Sequence, residues 1–163
     1  MSIQAVQMII LWLFVINLGI AFGAGLYESR IVVPMWLSAL PGSGYRWNAE
    51  AAQEADVGLK FWVYVTTVPL TLLTLASLAA AWWTPEPVRH WWLSAGVAAL
   101  IDRVMTFTYF IPTMLTLTRN RALSQSTAAS KARRWVTLGY VRHATTLAAW
   151  LAALMALSLG IDN

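Results

Sequence analysis

Five ionisable side chains stand inside long apolar stretches of this chain: Glu28, Asp102, Arg103, Arg142 and His143. Charges in such surroundings are expensive and by default suggest function. A carboxylate beside guanidinium groups suits proton abstraction, with Glu28 as the base and Arg103 and Arg142 balancing the negative charge that develops. The competing reading is a buried structural network, in which Glu28 is neutralised by Arg142 or Arg103 and the pairs fix helix register. His143 alone is a weak signal, since a single helical His is more often a hydrogen-bonded packing residue. His90 sits in a connection, and no His–carboxylate set has ligand spacing, so a protein-built metal site is not expected. An axial haem ligand from His143 has nothing specific behind it.

These residues belong to polar stripes at helical spacing. One stripe holds Asn17, Ala21, Ala24 and Glu28, and a second holds Lys60, Tyr64, Thr67, Thr71 and Thr74. A third holds Asp102, Thr106, Tyr109, Thr113 and Thr116 with Arg103 beside it, and a fourth holds Gly139, His143, Thr146 and Trp150 bordered by Arg142. Unpaired polar groups facing lipid would cost several kcal/mol, so the stripes are expected to converge on a shared interior. With about 1.5 Å of rise per residue, Glu28, Tyr109, Arg142 and His143 should share one layer, with Arg103 and Asp102 about 9 Å deeper. Gly19 and Gly23, spaced as GxxxG, would let a neighbouring helix approach.

The elements that must carry these stripes are membrane helices. The chain has 163 residues, 59% apolar and 11% charged, far from the roughly 25% charged of soluble domains. Apolar runs predict one all-α domain over 1–163: an integral membrane four-helix bundle with helices at about 3–33, 59–83, 88–118 and 135–159. The first run lacks a preceding Lys or Arg and is too long for a secretory signal, so it is read as a retained helix. Pro69 and Pro112 are expected kinks. Pro41-Gly42-Ser43-Gly44 is turn chemistry, and Asn48 to Glu54 suits a short interfacial helix.

Charge sets the expected orientation. Arg30, Arg46, Lys60, Arg119, Arg121, Lys131, Arg133 and Arg134 belong to the two long loops, against Arg89 alone on the opposite side. The positive-inside rule then puts both long loops in the cytoplasm and both termini outside, in a multi-pass protein of the cell membrane. Trp82, Trp83, Trp91 and Trp92 are expected as the outer aromatic belt, and Trp36, Trp47, Trp62 and Trp135 as the inner one.

Other chemistries are not indicated. The chain has no cysteine, which excludes disulfides and thiol catalysis. Dinucleotide, Walker-type and GxSxG motifs are missing. The basic loop lacks the aromatic interleaving of a nucleic-acid site, so no nucleic acid is expected as a partner.

Phe22-Gly23-Ala24-Gly25-Leu26-Tyr27-Glu28 with Val33-Pro34 and Trp36 resembles the first-helix signature of the anthrone-oxygenase-like membrane proteins, a family long catalogued as a domain of unknown function. Phe61-Trp62, Arg103, Thr106, Tyr109-Phe110-Ile111-Pro112-Thr113, Trp135, Arg142 and Ala149-Trp150-Leu151-Ala152-Ala153-Leu154 fit the same pattern. Gly139 departs from it, standing where the family pattern has Asn one turn before the arginine. The resemblance implies a four-helix membrane fold and, for some members, oxidation of polyketide anthrones to anthraquinones by molecular oxygen with no metal or organic cofactor. Many bacterial relatives have no assigned activity.

Two functions are therefore expected in competition. One is a cofactor-independent oxygenase acting on a flat lipophilic aromatic. Glu28, Arg103 and Arg142 would be catalytic, and Tyr27, Trp36, Lys60, Trp62, Tyr64, Thr106, Tyr109 and His143 would bind substrate. The other is a non-catalytic binder or small four-helix transporter using Glu28. A glutathione-using membrane enzyme ranks last, because Glu28-Ser29-Arg30 is a poor match to the Glu-Arg-Asn pattern of that class. The partners expected are the lipid bilayer and a lipophilic small molecule, with a homo-oligomer left open.

Overall fold

The computed structural model describes residues 2–41, 44–120 and 122–161. Among these residues, four helices are long and apolar enough to cross a membrane: α1 (Ile3–Trp36), α3 (Gly58–Trp82), α4 (Val88–Arg119) and α5 (Gln125–Ile161). Between α1 and α3 lie a small antiparallel hairpin, β1 (Leu37–Ala39) paired with β2 (Tyr45–Trp47), and the short α2 (Ala49–Ala55). Asn48 caps α2 by accepting from the Ala51 amide at 3.1 Å. Asp56 then turns the chain in the left-handed region (φ 42°), which short polar side chains tolerate. Of the expected turn, Gly42 and Ser43 lie outside the described residues, as does Arg121 of the charge count.

Cross-links show that neighbouring helices run antiparallel. Along α1, Gln7 reaches Ala80 of α3, Asn17 reaches Val65 and Glu28 meets Trp62. Along α5, Trp150 lies over Gly19 and His143 over Gly25, while Trp135 bonds the Phe110 carbonyl of α4. The helices form a ring in the order α1, α3, α4, α5, as short up-and-down connections favour. Gly96 is needed at one seam, because a Cβ there would lie 2.7 Å from Leu78 Cδ2.

Among the described residues, three stretches are wound as π-helix: Glu28–Val32 in α1, Gly58–Thr67 in α3 and Thr106–Phe110 in α4. Each ends two residues before a proline: Pro34, Pro69 or Pro112. A proline has no N–H and its ring collides with the carbonyl four residues back, so the turn before it must widen. The expected kinks are therefore realised as wide turns, and Pro34 does not end α1 at residue 33.

Burial falls into two apolar cores. One holds Phe14, Leu18, Leu70, Trp92, Ala99 and Ala153 among others, and the second, at the hairpin end, is built around Trp36, Trp47, Phe110, Ala132 and Trp135. Outward faces carry Leu72, Leu75, Val97, Val104 and Leu151, a surface that suits hydrocarbon rather than water. The inner tryptophan belt is not formed: Trp36, Trp47 and Trp135 are buried in the second core and Trp62 faces inward. On the opposite side Trp82, Trp83 and Trp91 are exposed, but Trp92 is buried.

The fourth helix begins at Gln125, not at Trp135. Ser124 caps it, its hydroxyl accepting from the Thr127 amide at 3.3 Å. The stretch is polar, which hides it from hydropathy, yet Ala128, Ala129 and Ala132 form a buried small-residue face.

Candidate functional site

A polar layer separates the two cores, and the three π stretches supply part of it, including Glu28, Trp62 and Thr106. Glu28, only 7% exposed, accepts a hydrogen bond from the Trp62 indole at 2.9 Å. Arg142 lies with its guanidinium carbon 4.4 Å from the Phe110 ring centroid and 5.8 Å from that of Trp62. Cation–π attraction holds that cation while leaving its hydrogen-bonding edges uncommitted. Asp102, 2% exposed, is paired with Arg103, whose Nε donates to it at 3.1 Å. Thr146 adds a long contact of 3.4 Å to the same carboxylate. Arg103 Nη1 is buried without a hydrogen-bond partner.

The layer thus contains one spent pair and two unspent ionisable groups. Asp102 and Arg103 cancel each other. Among the described residues, neither Glu28 nor Arg142 makes an ion pair within 4.0 Å. Both face a cavity of about 410 Å³, inside the ~300–1,000 Å³ range of small-molecule sites. Its walls are aromatic (Trp36, Trp62, Phe110, Trp135) and, on α3 and α4, aliphatic (Leu59, Val63, Ile111, Leu115). Such a site can hold a lipophilic molecule and handle one proton and one negative charge on it.

Of the residues expected at a site, Glu28, Trp36, Trp62, Arg103, Thr106, Arg142 and His143 line this cavity. Tyr27, Lys60, Tyr64 and Tyr109 do not. Tyr27 is 62% exposed and Tyr64 73% exposed on the outer surface. The π winding of 58–67 explains Tyr64: its inward face repeats as 58/59, 62/63 and 66/67, so an α-helical stripe drawn from Thr67 back through Tyr64 to Lys60 leaves the interior. Lys60 donates to the Glu54 carbonyl at 2.8 Å instead. Tyr109 packs edge-on against Phe110, ring centroids 5.4 Å apart.

Tyr109 does not line the cavity, whereas Asp102 and Arg103 do, and Asp102 meets Thr146, one turn along α5 from Arg142. Thr106 lines the cavity but donates its hydroxyl to the Asp102 carbonyl at 2.8 Å, so only its lone pairs are free for a guest. His143 turns both nitrogens to α1: Nε2 lies 2.8 Å from Ser29 Oγ and Nδ1 lies over Gly25. Its role in the layer is that of a helix-seam group. The close approach is at Gly19 and Gly25 rather than Gly19 and Gly23, for nothing lies within 4 Å of a Cβ at Gly23.

Thr66, Phe110, the α2 residues Ala52 and Gln53, and Asp56 just after α2 were not expected in the lining. The signal for Thr66 and Phe110 is the proline a few residues later, read as a widened turn. No local signal in the sequence brings α2 under the bundle. Among the described residues, no three His, Asp or Glu side chains gather as a metal set.

The fold is a bundle of four helices long and apolar enough to cross a membrane, with a polar-lined cavity between two apolar cores. No protein-family model, no curated protein and no solved structure matches this chain.

Proposed function

We propose that this chain is a multi-pass membrane enzyme, related to the anthrone-oxygenase-like proteins, that oxidises a lipophilic hydroxyaromatic with molecular oxygen and no resident cofactor. The observation that carries the reading is the unspent pair: Glu28 and Arg142 face one aromatic-walled cavity and neither is tied up in an ion pair. The neutral substrate carries an acidic ring CH2 conjugated to a carbonyl. Glu28 removes one proton, and the electron pair delocalises onto the carbonyl oxygen, where Arg142 balances the charge. Oxygen adds to the carbanion carbon, and the peroxide formed takes the proton back from Glu28. Loss of the second C–H proton with cleavage of the O–O bond yields a ring carbonyl and one water, so CH2 and O2 become C=O and H2O.

In this proposal both termini lie outside the cell membrane, and α2, the hairpin and the start of α5 lie on the cytoplasmic side. The lysine and arginine imbalance supports that orientation. The alternative, exchange of protons for a cationic substrate at Glu28, is disfavoured by Arg142. Its guanidinium already sits over the Phe110 and Trp62 faces that a cation would need.

Oxygen uptake by the purified protein with a panel of hydroxyanthrones tests the reading. Wild type consumes oxygen above the spontaneous rate, and folded Glu28→Gln falls to that rate. Equal uptake by both would overturn the assignment of Glu28, and substrate-driven proton flux in liposomes would move the protein to the transporter class.

A further inference from the structure

We propose that the guest of this cavity is an acidic amphiphile that enters sideways from the bilayer, through a mouth between α3 and α4. The proposal deepens the reading of the cavity as a substrate site and rests on it.

Three of the cavity's sides are closed. Glu28 and Trp62 join α1 to α3, His143 and Ser29 join α1 to α5, and Trp135 joins α5 to the Phe110 carbonyl of α4. The end is closed by α2 and the hairpin, where Trp47 donates to the Leu117 carbonyl at 3.1 Å and Gln53 to the Thr118 carbonyl at 2.7 Å. The remaining side differs. Among the described residues, α3 and α4 pack on each other through 68–82 and 88–105, but 58–67 and 106–119 form no packed seam. The π winding before Pro69 and before Pro112 accompanies this parting of the two helices.

Residues at that gap are both lining and surface. Leu59 and Leu115 line the cavity and are 55% and 41% exposed. Ile111 and Val63 continue the aliphatic wall inward. Gln53 and Arg119, also lining and exposed, rim the mouth toward the end of the bundle. The mouth therefore straddles the boundary between acyl chains and headgroups. A guest that already resides there has one polar end and one apolar body.

The polar end is assigned by the interior. A permanent cation would meet Arg142, and a permanent anion would meet Glu28. A neutral acid suits both, since its hydroxyl can donate to Glu28 while its oxygen faces Arg142, and it adds no charge to the cavity. An ionisable hydroxyl on an aromatic ring, carrying an apolar extension, has the required chemistry.

The absence of cysteine and the presence of lipid make photolabelling in liposomes a clean test. The probe is a 4-alkylphenol with a diazirine in its chain, and the control is its methyl ether, which cannot ionise. The expected result is labelling concentrated at Leu59, Val63, Ile111 and Leu115 over the outer faces at Leu72 and Val97. It should fall about ten-fold in Arg142→Gln, as loss of a charge-assisted contact requires, and for the methyl ether. Leu115→Trp, a surface change that leaves both cores intact, should block entry and lower labelling of Val63 and Ile111. Even labelling of all lipid-facing helices, equal labelling by the ether, or entry unaffected by Leu115→Trp would overturn the proposal. Labelling needs no turnover, so a protein that binds the phenol at the mouth but consumes no oxygen sinks the oxidation alone.

Discussion

The side-chain amide of Asn17 donates to the main-chain oxygen of Val65 at 2.9 Å, and Val65 stands four residues before Pro69. Pro69 has no N–H to offer that carbonyl, so α1 supplies the missing donor across the helix seam. One side chain thus couples the first polar stripe to the wide turn of α3.

Replacing Asn17 by Leu should destabilise the bundle by about 1 kcal/mol, the size of an interhelical hydrogen bond inside a membrane protein. Part of the loss is offset, because Asn17 Oδ1 is buried without a partner. In a Pro69→Ala background the same change should cost close to nothing, since residue 69 then regains its own N–H. Denaturation in mixed micelles, run as a double-mutant cycle, measures the coupling. Equal costs in both backgrounds would show that the carbonyl does not need Asn17.

Gly23 and Gly25 stand only two residues apart on α1 yet should respond in opposite ways. A Cβ at Gly25 would lie 2.5 Å from His143 Cε1, with the ring tied to Ser29. Gly25→Ala should therefore cost about 1–3 kcal/mol, as overpacking does, while Gly23→Ala should be neutral. Thermal unfolding in detergent distinguishes this from a GxxxG contact, which would make Gly23 the sensitive position.

Trp62 has two jobs that substitution can separate. Trp62→Phe keeps a ring beneath Arg142 but removes the indole N–H that holds Glu28. It should lower kcat about ten-fold, the order expected for one hydrogen bond to a charged group, with little change in KM. Arg142→Lys keeps the charge and loses the flat group stacked on Phe110, so it should raise KM as well. Steady-state oxygen uptake separates the two patterns.

Glu86 lies between α3 and α4, outside both helices. Partial desolvation, the largest single influence, pushes its carboxyl up, but the contacts with Arg89 and His90 together outweigh it and hold it below the ordinary 4.5. Arg89 Nε donates to it at 2.7 Å. A depressed carboxyl stabilises the folded state above its unfolded value and loses that effect as pH falls through the folded one. Stability should therefore drop below about pH 4.5 and do so less in Glu86→Gln. The group is solvent-accessible, so 1 M salt should remove most of the difference. An acid titration of melting temperature checks it.

The helices and the inward-facing charges were legible because hydropathy and helical spacing report on long regular segments. Glu28, Arg103 and Arg142 could be assigned to the interior from the cost of leaving them in lipid. Tyr64 and Lys60 were misplaced because a stripe drawn at α spacing cannot pass through ten residues of π-helix. Gln125 to Arg134 read as loop because hydropathy is blind to a helix whose buried face is alanine. The place of α2 beneath the bundle depends on Trp47 and Gln53 finding carbonyls at the end of α4, contacts between residues far apart in sequence that no local pattern announces.

The cavity lies where two cores meet, and this has a consequence for motion. The core around Leu18, Trp92 and Ala153 is held by all four helix seams, whereas the core around Trp36 and Trp135 is pinned largely by indole and amide groups on main-chain carbonyls of α4. Blocks fastened so differently open with different free energies. Amides of α2 and of the hairpin should exchange with deuterium while those of the opposite core stay protected. The site can then loosen around a guest without the rest of the bundle unfolding, and its floor sets how long the guest stays.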